Sequence, residues 1–440
     1  GILITFHEYG HFWVARKCDV KILRFSVGFG RPLWKRSFGD DQTEFVIAAL
    51  PLGGYVKMLD EREGPVEEQD KERAFNNKSL TQRIMIVVAG PLFNFIFAIF
   101  AYWAMYMIGI NDFKPVIGEI EMKSIAAESG FRSGDRILQV DGRKTPTWSS
   151  VIDTTVANVV NAREVVFTVS AGQYSEREIT IDLSKISIDE MASGQLFKAI
   201  GLHPERPVIP AIIGEIIEGG SAEAVGMQVG DKVLKVDDDP VKDWINWVEI
   251  IRANPQQALQ VDILRNAEPL TLAITPALVV EGGQEVGKIG AGLDQSYLQD
   301  TSNQAIESYA LFPALYKAVE KTADMSIMTL RILGKMIVGE ASVKNLSGPI
   351  SIAQYAGKTA NLGIAVFLGF MAVISVSLGV LNLLPIPLLD GGHLFYYLIE
   401  MVKGSPPSES FQIAGQQFGL IVLLGLMSIA LYNDILRVVG

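Results

Sequence analysis

The chain reads as a polytopic α-helical membrane protein. Four transmembrane helices are expected, the first truncated at its N-terminus, with a membrane-associated β-hairpin region and two tandem α/β domains. Three observations predict this class. The 440 residues are 49% hydrophobic, too apolar and too long for one soluble domain. Charge-free runs long enough to cross a bilayer lie toward both ends. Between them a β-rich pattern recurs at a constant offset of 96 residues. Net charge is −11 with no basic block, which argues against nucleic acid as a partner. Cys18 is the single cysteine, so a disulfide within the chain is excluded and a thiolate metal cluster is disfavoured.

Residues 1–20 are the first expected span. His7-Glu8-Tyr9-Gly10-His11 fits H-E-x-x-H, and i,i+4 spacing on a helix puts both imidazoles on one face, where they can share a metal. Glu8 lies beside them, within reach of a water at that metal. The flanking residues are almost wholly apolar, and ionisable groups at membrane depth default to a functional reading. The chain opens on Gly1 partway into this apolar segment, so the span is expected to be incomplete.

Residues 21–80 contain Lys21–Gly30 with strand-type alternation, then Thr43–Leu50 and Tyr55–Leu59 on either side of Pro51-Leu52-Gly53-Gly54. Strand, turn and strand predict that 43–50 pairs with 55–59 as a hairpin. Such a hairpin beside a membrane site must be covered or line a cavity, and its edge could accept an extended substrate strand. Thirteen Lys and Arg in 16–83 place this connection in the cytoplasm by the positive-inside rule. Residues 81–111 form the second span, in which Gly90-Pro91 predicts a kink.

The repeat follows. Gly130-Phe131-Arg132-Ser133-Gly134-Asp135-Arg136-Ile137-Leu138-Gln139-Val140-Asp141 returns as Gly226-Met227-Gln228-Val229-Gly230-Asp231-Lys232-Val233-Leu234-Lys235-Val236-Asp237, and Trp148 as Trp244. This pattern resembles PDZ domains, in 112–202 and 203–295. The resemblance implies strand-addition grooves for peptides, with Ala199–Leu202 and Lys288–Leu293 as candidate carboxylate-binding loops. His203 reads as a loop histidine, not a ligand.

Residues 296–361 carry amphipathic helices and a linker, 362–394 the third span, 395–412 a cytoplasmic loop and 413–440 the fourth span. Asn382-Leu383-Leu384-Pro385-Ile386-Pro387-Leu388-Leu389-Asp390-Gly391 ends an uncharged run on a carboxylate. A carboxylate at such a position needs a partner, and a metal at His7 and His11 supplies one. Prolines and glycines would unwind the helix locally. His393 competes as third ligand, but two imidazoles and a carboxylate complete a zinc shell that leaves a place for water.

Together the two motifs resemble the site-2 protease family of intramembrane metalloproteases, in its bacterial branch with paired PDZ modules. The resemblance implies Zn2+ held by His7, His11 and Asp390, with Glu8 as general base and Asn382 touching substrate or the tetrahedral intermediate. It implies cleavage within single-span membrane proteins, such as an anti-sigma factor already trimmed by a site-1 protease, or remnant signal peptides. The PDZ pair would filter substrates by size on the periplasmic side of the bacterial inner membrane. A metal-ion transporter or a membrane-anchored PDZ scaffold is the alternative.

Overall fold

The computed structural model describes residues 1–159, 164–171, 176–184, 186, 195–205, 209–281, 284–294, 303–342 and 347–439. Helix α1, Ile2–Lys17, closes on Arg16 and Lys17, cations suited to the negative end of its dipole. Of its buried residues, Leu3, His7, His11 and Ala15 recur every four positions and form one stripe, with Gly10 and Phe12 on either side of His11. Helix α2, Leu80–Ile108, starts with a capping box in which Ser79 and Gln82 satisfy each other's backbone N–H.

Among the described residues, three helices are long and apolar enough to cross a membrane by length and composition: α2, the helix Ile364–Leu383, and the last helix, which begins at Glu409. At 16 residues α1 is shorter. The last helix extends from Glu409 to Val439, beyond the expected span at its start.

The hairpin differs from expectation. Strand β1, Ile22–Phe38, and strand β2, Thr43–Met58, each fold back on themselves. Residues 24–27 pair in descending register with 57–54 and in ascending register with 44–47, while 32–38 pairs with 48–43. The segments 43–50 and 55–59 therefore do not pair with each other. They flank the first half of β1 from opposite sides. Gly28 and Gly30, at φ +92° and +89°, let β1 reverse where a side chain would be strained. The apolar first half of β1, with Ile22 and Phe25 buried against Phe12 and Ala15 of α1, takes the centre. Segment 54–58 is left as an edge.

Beyond α2 the chain leaves through β3, Ile110–Phe113, and returns through β18, Gln304–Glu307, which pairs with it. Two similar units lie between. In the first, β4 (Ile117–Ile120), α3 (Ile125–Glu128), β5 (Arg136–Val140), β6 (Arg143–Lys144), α4 (Trp148–Val159), β7 (Glu164–Ser170) and β8 (Glu176–Asp182) precede α5 (Leu196–Ala199) and β9 (Leu202–Pro204). The second runs β10 (Ile213–Ile216), α6 (Ser221–Ala224), β11 (Lys232–Val236), β12 (Asp239–Pro240), α7 (Trp244–Ala253), β13 (Leu259–Arg265) and β14 (Glu268–Ile274), ending in β15 to β17 (Ala277–Leu293). Strand orders β6-β5-β7-β8 and β12-β11-β13-β14 match. The repeated Gly-Asp has the same work in both. Asp135 and Asp231, each 1% exposed, accept the backbone N–H of Arg132 and Gln228 at 2.8 Å and pair with Arg177 and Arg265.

Helix α8, Leu311–Ile337, lays Ala314, Ala318 and Thr322 inward, and its alanines join a core with Ala98, Ala101 and Tyr102 of α2. Helix α9, Pro349–Leu362, precedes α10, Ile364–Leu383; α11, Asp390–Lys403, and α12, Glu409–Val439, complete the chain. Asp434 of α12 is fully buried yet satisfied. It accepts the N–H groups of Gly348, Ile350 and Ser351 and the Ser351 hydroxyl, capping α9. This carboxylate, near the end of an apolar helix, thus has a structural duty.

Candidate metal centre

Two glycines set how closely α1 meets α2. A Cβ on Gly10 would stand 2.4 Å from the Ala89 carbonyl oxygen. A Cβ on Gly90 would stand 2.2 Å from His11 Nε2 and 2.7 Å from His7 Cε1. Such approaches exclude any side chain. Beside the kink expected with Pro91, Gly90 thus has a steric role: it makes room for both imidazoles.

The third residue arrives from the far end of the sequence. Helix α10 stops at Leu383, the chain extends through the prolines, Leu388 takes φ +88°, and α11 begins at Asp390. Gly391 and Gly392 let this loop fold onto the first turn of α11, because a Cβ there would meet the carbonyl oxygens of Leu384 at 2.0 Å and Ile386 at 2.6 Å.

His7 Nε2 lies 3.2 Å from His11 Nε2 and 3.2 Å from Asp390 Oδ2, and His11 Nε2 lies 3.5 Å from Asp390 Oδ1. One donor atom from each residue falls within 4.8 Å of the others. His11 Nδ1–H donates to the Ile86 carbonyl at 2.8 Å, which leaves Nε2 as a lone pair facing inward. His7 Nδ1 meets the side-chain amides of Asn94 at 3.2 Å and Asn382 at 3.5 Å. Converging lone pairs repel unless a cation or proton lies between them. Tetrahedral zinc, with bonds of about 2.0–2.2 Å, holds neighbouring ligand atoms roughly 3.3–3.5 Å apart. The His7–His11 spacing fits that shell, Asp390 turns one oxygen toward each ring, and its Oδ2, buried with no hydrogen-bond partner among the described residues, suits a cation there.

Glu8 faces β2. The backbone N–H of Val56 lies on that side, and the Glu8 Cγ would be 3.4 Å from a Cβ on Gly54. His393 is exposed and stands outside the converging group. His203, in β9, contacts Glu121 Oε1 at 3.0 Å.

Sequence reasoning missed Asn94, 1% exposed at the His7 ring. A lone asparagine in a charge-free run was the available signal. It also missed Arg83 and Glu400, which form a two-pronged pair at 2.7 and 3.2 Å, with the guanidinium over the Tyr397 ring. They tie α2, the helix of Gly90, to α11, the helix of Asp390. Reversing either charge should cost about 1–3 kcal/mol and weaken zinc retention, and the double reversal should restore part of both. Melting temperatures and metal content of the four proteins test this; strictly additive effects would refute it.

Comparison with known proteins is consistent with this geometry. The family model described as "Peptidase family M50" matches residues 1–426. The chain is 42% identical over 439 residues to "Regulator of sigma-E protease RseP" of Escherichia coli strain K12, covering 99% of this chain and 96% of that protein. It is 42% identical over 438 residues to "Protease RseP" of Yersinia pestis, with the same coverage. It is 41% identical over 442 residues to "Regulator of sigma E protease" of Haemophilus influenzae, covering 99% and 97%. Its apolar helices mark it as a membrane protein, and the chain belongs to peptidase family M50, the intramembrane zinc metalloproteases.

Proposed function

We propose that His7, His11 and Asp390 hold the zinc and that Glu8 is the general base in hydrolysis of peptide bonds inside transmembrane segments. The observation that carries this is the meeting of three ligand atoms, from α1 and the start of α11, within 4.8 Å of one another. When bound, zinc supplies Lewis acidity at a water and at the scissile carbonyl. Glu8 takes a proton from the attacking water and passes it to the leaving amine. Asn382 binds substrate backbone or steadies the tetrahedral intermediate.

A helical substrate has its carbonyls hydrogen-bonded internally, so the target must unwind before attack. The 54–58 edge beside Glu8 offers backbone groups to the extended form and offsets part of that loss. In this reading α1 is the first of four spans, and the two repeated units are PDZ modules on the periplasmic side of the inner membrane. Residues 16–83 are then cytoplasmic. Substrates are single-span proteins, an anti-sigma factor after site-1 trimming or remnant signal peptides, and the modules exclude those with bulky outer domains.

The test is digestion of a single-span protein co-reconstituted in liposomes. Fragment masses should place the cut within the apolar span, with cleavage lost on chelation and regained with zinc. Cuts confined to water-exposed loops would sink the reading. Deleting residues 116–277 should allow untrimmed substrate to be cut; if it stays intact, the size filter is wrong.

A further inference from the structure

A cavity of about 460 Å³ lies between the first repeated unit and the membrane helices, walled by α4, α2, α8, α10 and β18. That volume falls within the usual range for small-ligand sites, roughly 300–1,000 Å³. Its depth is set by the helix ends. Met105 lies three residues before the end of α2 and Val366 two residues after the start of α10, so both mark the same membrane boundary. Tyr102, Met105, Met328, Val366 and Val373 make an apolar floor.

Two features of this cavity are polar and unspent. The Tyr102 hydroxyl is buried, with the residue 2% exposed, and has no hydrogen-bond partner among the described residues. A buried hydroxyl left so is costly unless something accepts from it. Of the lining cations, Lys321, Arg143 and Lys317 are paired with Asp153, Asp324 and Glu320 at 2.6, 2.7 and 2.8 Å, and Lys144 has no ion pair among the described residues. Two carboxylates are not matched in this way. Glu307, 8% exposed, accepts only neutral donors, the hydroxyls of Tyr309 at 3.0 Å and Thr147 at 3.2 Å. Asp112 accepts the Ser149 N–H at 2.7 Å. The cavity therefore asks for an apolar tail, an acceptor at Tyr102 depth and a cation near the mouth. Outside it, α8 exposes Phe312, Tyr316 and Leu330, a face suited to bilayer.

We propose that this cavity is a binding site for a phospholipid with a primary ammonium headgroup. The ammonium sits between Glu307 and Asp112, an ester carbonyl accepts from the Tyr102 hydroxyl, and one acyl chain runs along Met105, Val366 and Val373. The bound lipid braces the first unit against α2 and α8.

The test is native mass spectrometry of the delipidated full chain in detergent, with added phosphatidylethanolamine, phosphatidylcholine or phosphatidylglycerol of equal chain length. Phosphatidylethanolamine should be retained best. Tyr102→Phe and Glu307→Gln should each weaken its retention about five- to tenfold, the effect of one hydrogen bond or more. Tyr102→Phe breaks no internal hydrogen bond, so its melting temperature should hold and the test survives even if Glu307→Gln misfolds. Equal retention of the three lipids, or retention untouched by Tyr102→Phe, would mean nonspecific surrounding lipid and overturn the proposal. Displacement of the lipid by a hexapeptide with a C-terminal carboxylate would assign the cavity to peptide instead.

Discussion

Glu8→Gln should lower turnover of a reconstituted single-span substrate by about 10²–10⁴-fold while leaving zinc bound. The substitution keeps shape and removes the proton acceptor. Glu8 is not one of the three converging residues, and its neighbour on the β2 side is a backbone N–H, which a glutamine oxygen can still accept from. Asp390→Asn is the necessary contrast. It takes the negative charge out of the ligand set and should reduce zinc retention by about 100-fold or more, with activity falling in step. Metal analysis alongside cleavage separates the two roles. Full activity in Glu8→Gln would remove Glu8 as base, and zinc retained by Asp390→Asn would remove Asp390 as ligand.

Gly90→Ala should abolish cleavage with little loss of fold. In an ordinary helix this exchange gains about 1 kcal/mol. Here the added methyl meets His11 Nε2 at 2.2 Å and His7 Cε1 at 2.7 Å, so either α1 moves away from α2 or both rings rotate off their present positions. Overpacking of this kind costs about 1–3 kcal/mol. The net cost to stability is then about 0–2 kcal/mol, whereas a ligand shell tolerates no such displacement. Zinc content should fall sharply while the melting temperature drops by no more than a few degrees. Gly369→Ala is the control, since its Cβ meets only the Met105 sulfur, the end of a flexible side chain, at 2.7 Å. A zinc-loaded, active Gly90→Ala protein would show that the α1–α2 approach is looser than described.

Much of the candidate site was legible because its parts are local. The i,i+4 histidines announce a shared helix face, and a carboxylate closing an uncharged run announces a partner elsewhere. The duplication was legible too, since a repeated Gly-Asp turn at one offset requires two copies of the same strand, turn and strand. Sequence also supplied the unwinding between α10 and α11, because prolines cannot donate to a helix ladder.

Three things were decided only by tertiary structure. The β1–β2 region was expected as one hairpin, but the first half of β1 pairs with both halves of β2 and separates them, a competition among long-range pairings that alternation does not reveal. Gly90 reads locally as a kink, whereas its role depends on the rings brought against it from α1. Asp434 and Asp390 look alike as lone carboxylates at the ends of apolar stretches; one meets the N–H groups of a helix start and the other meets two imidazoles. Composition and spacing state which groups must find partners. Which partner each finds is set by the packing of helices distant in sequence, where close contact between backbones is possible only at their glycines.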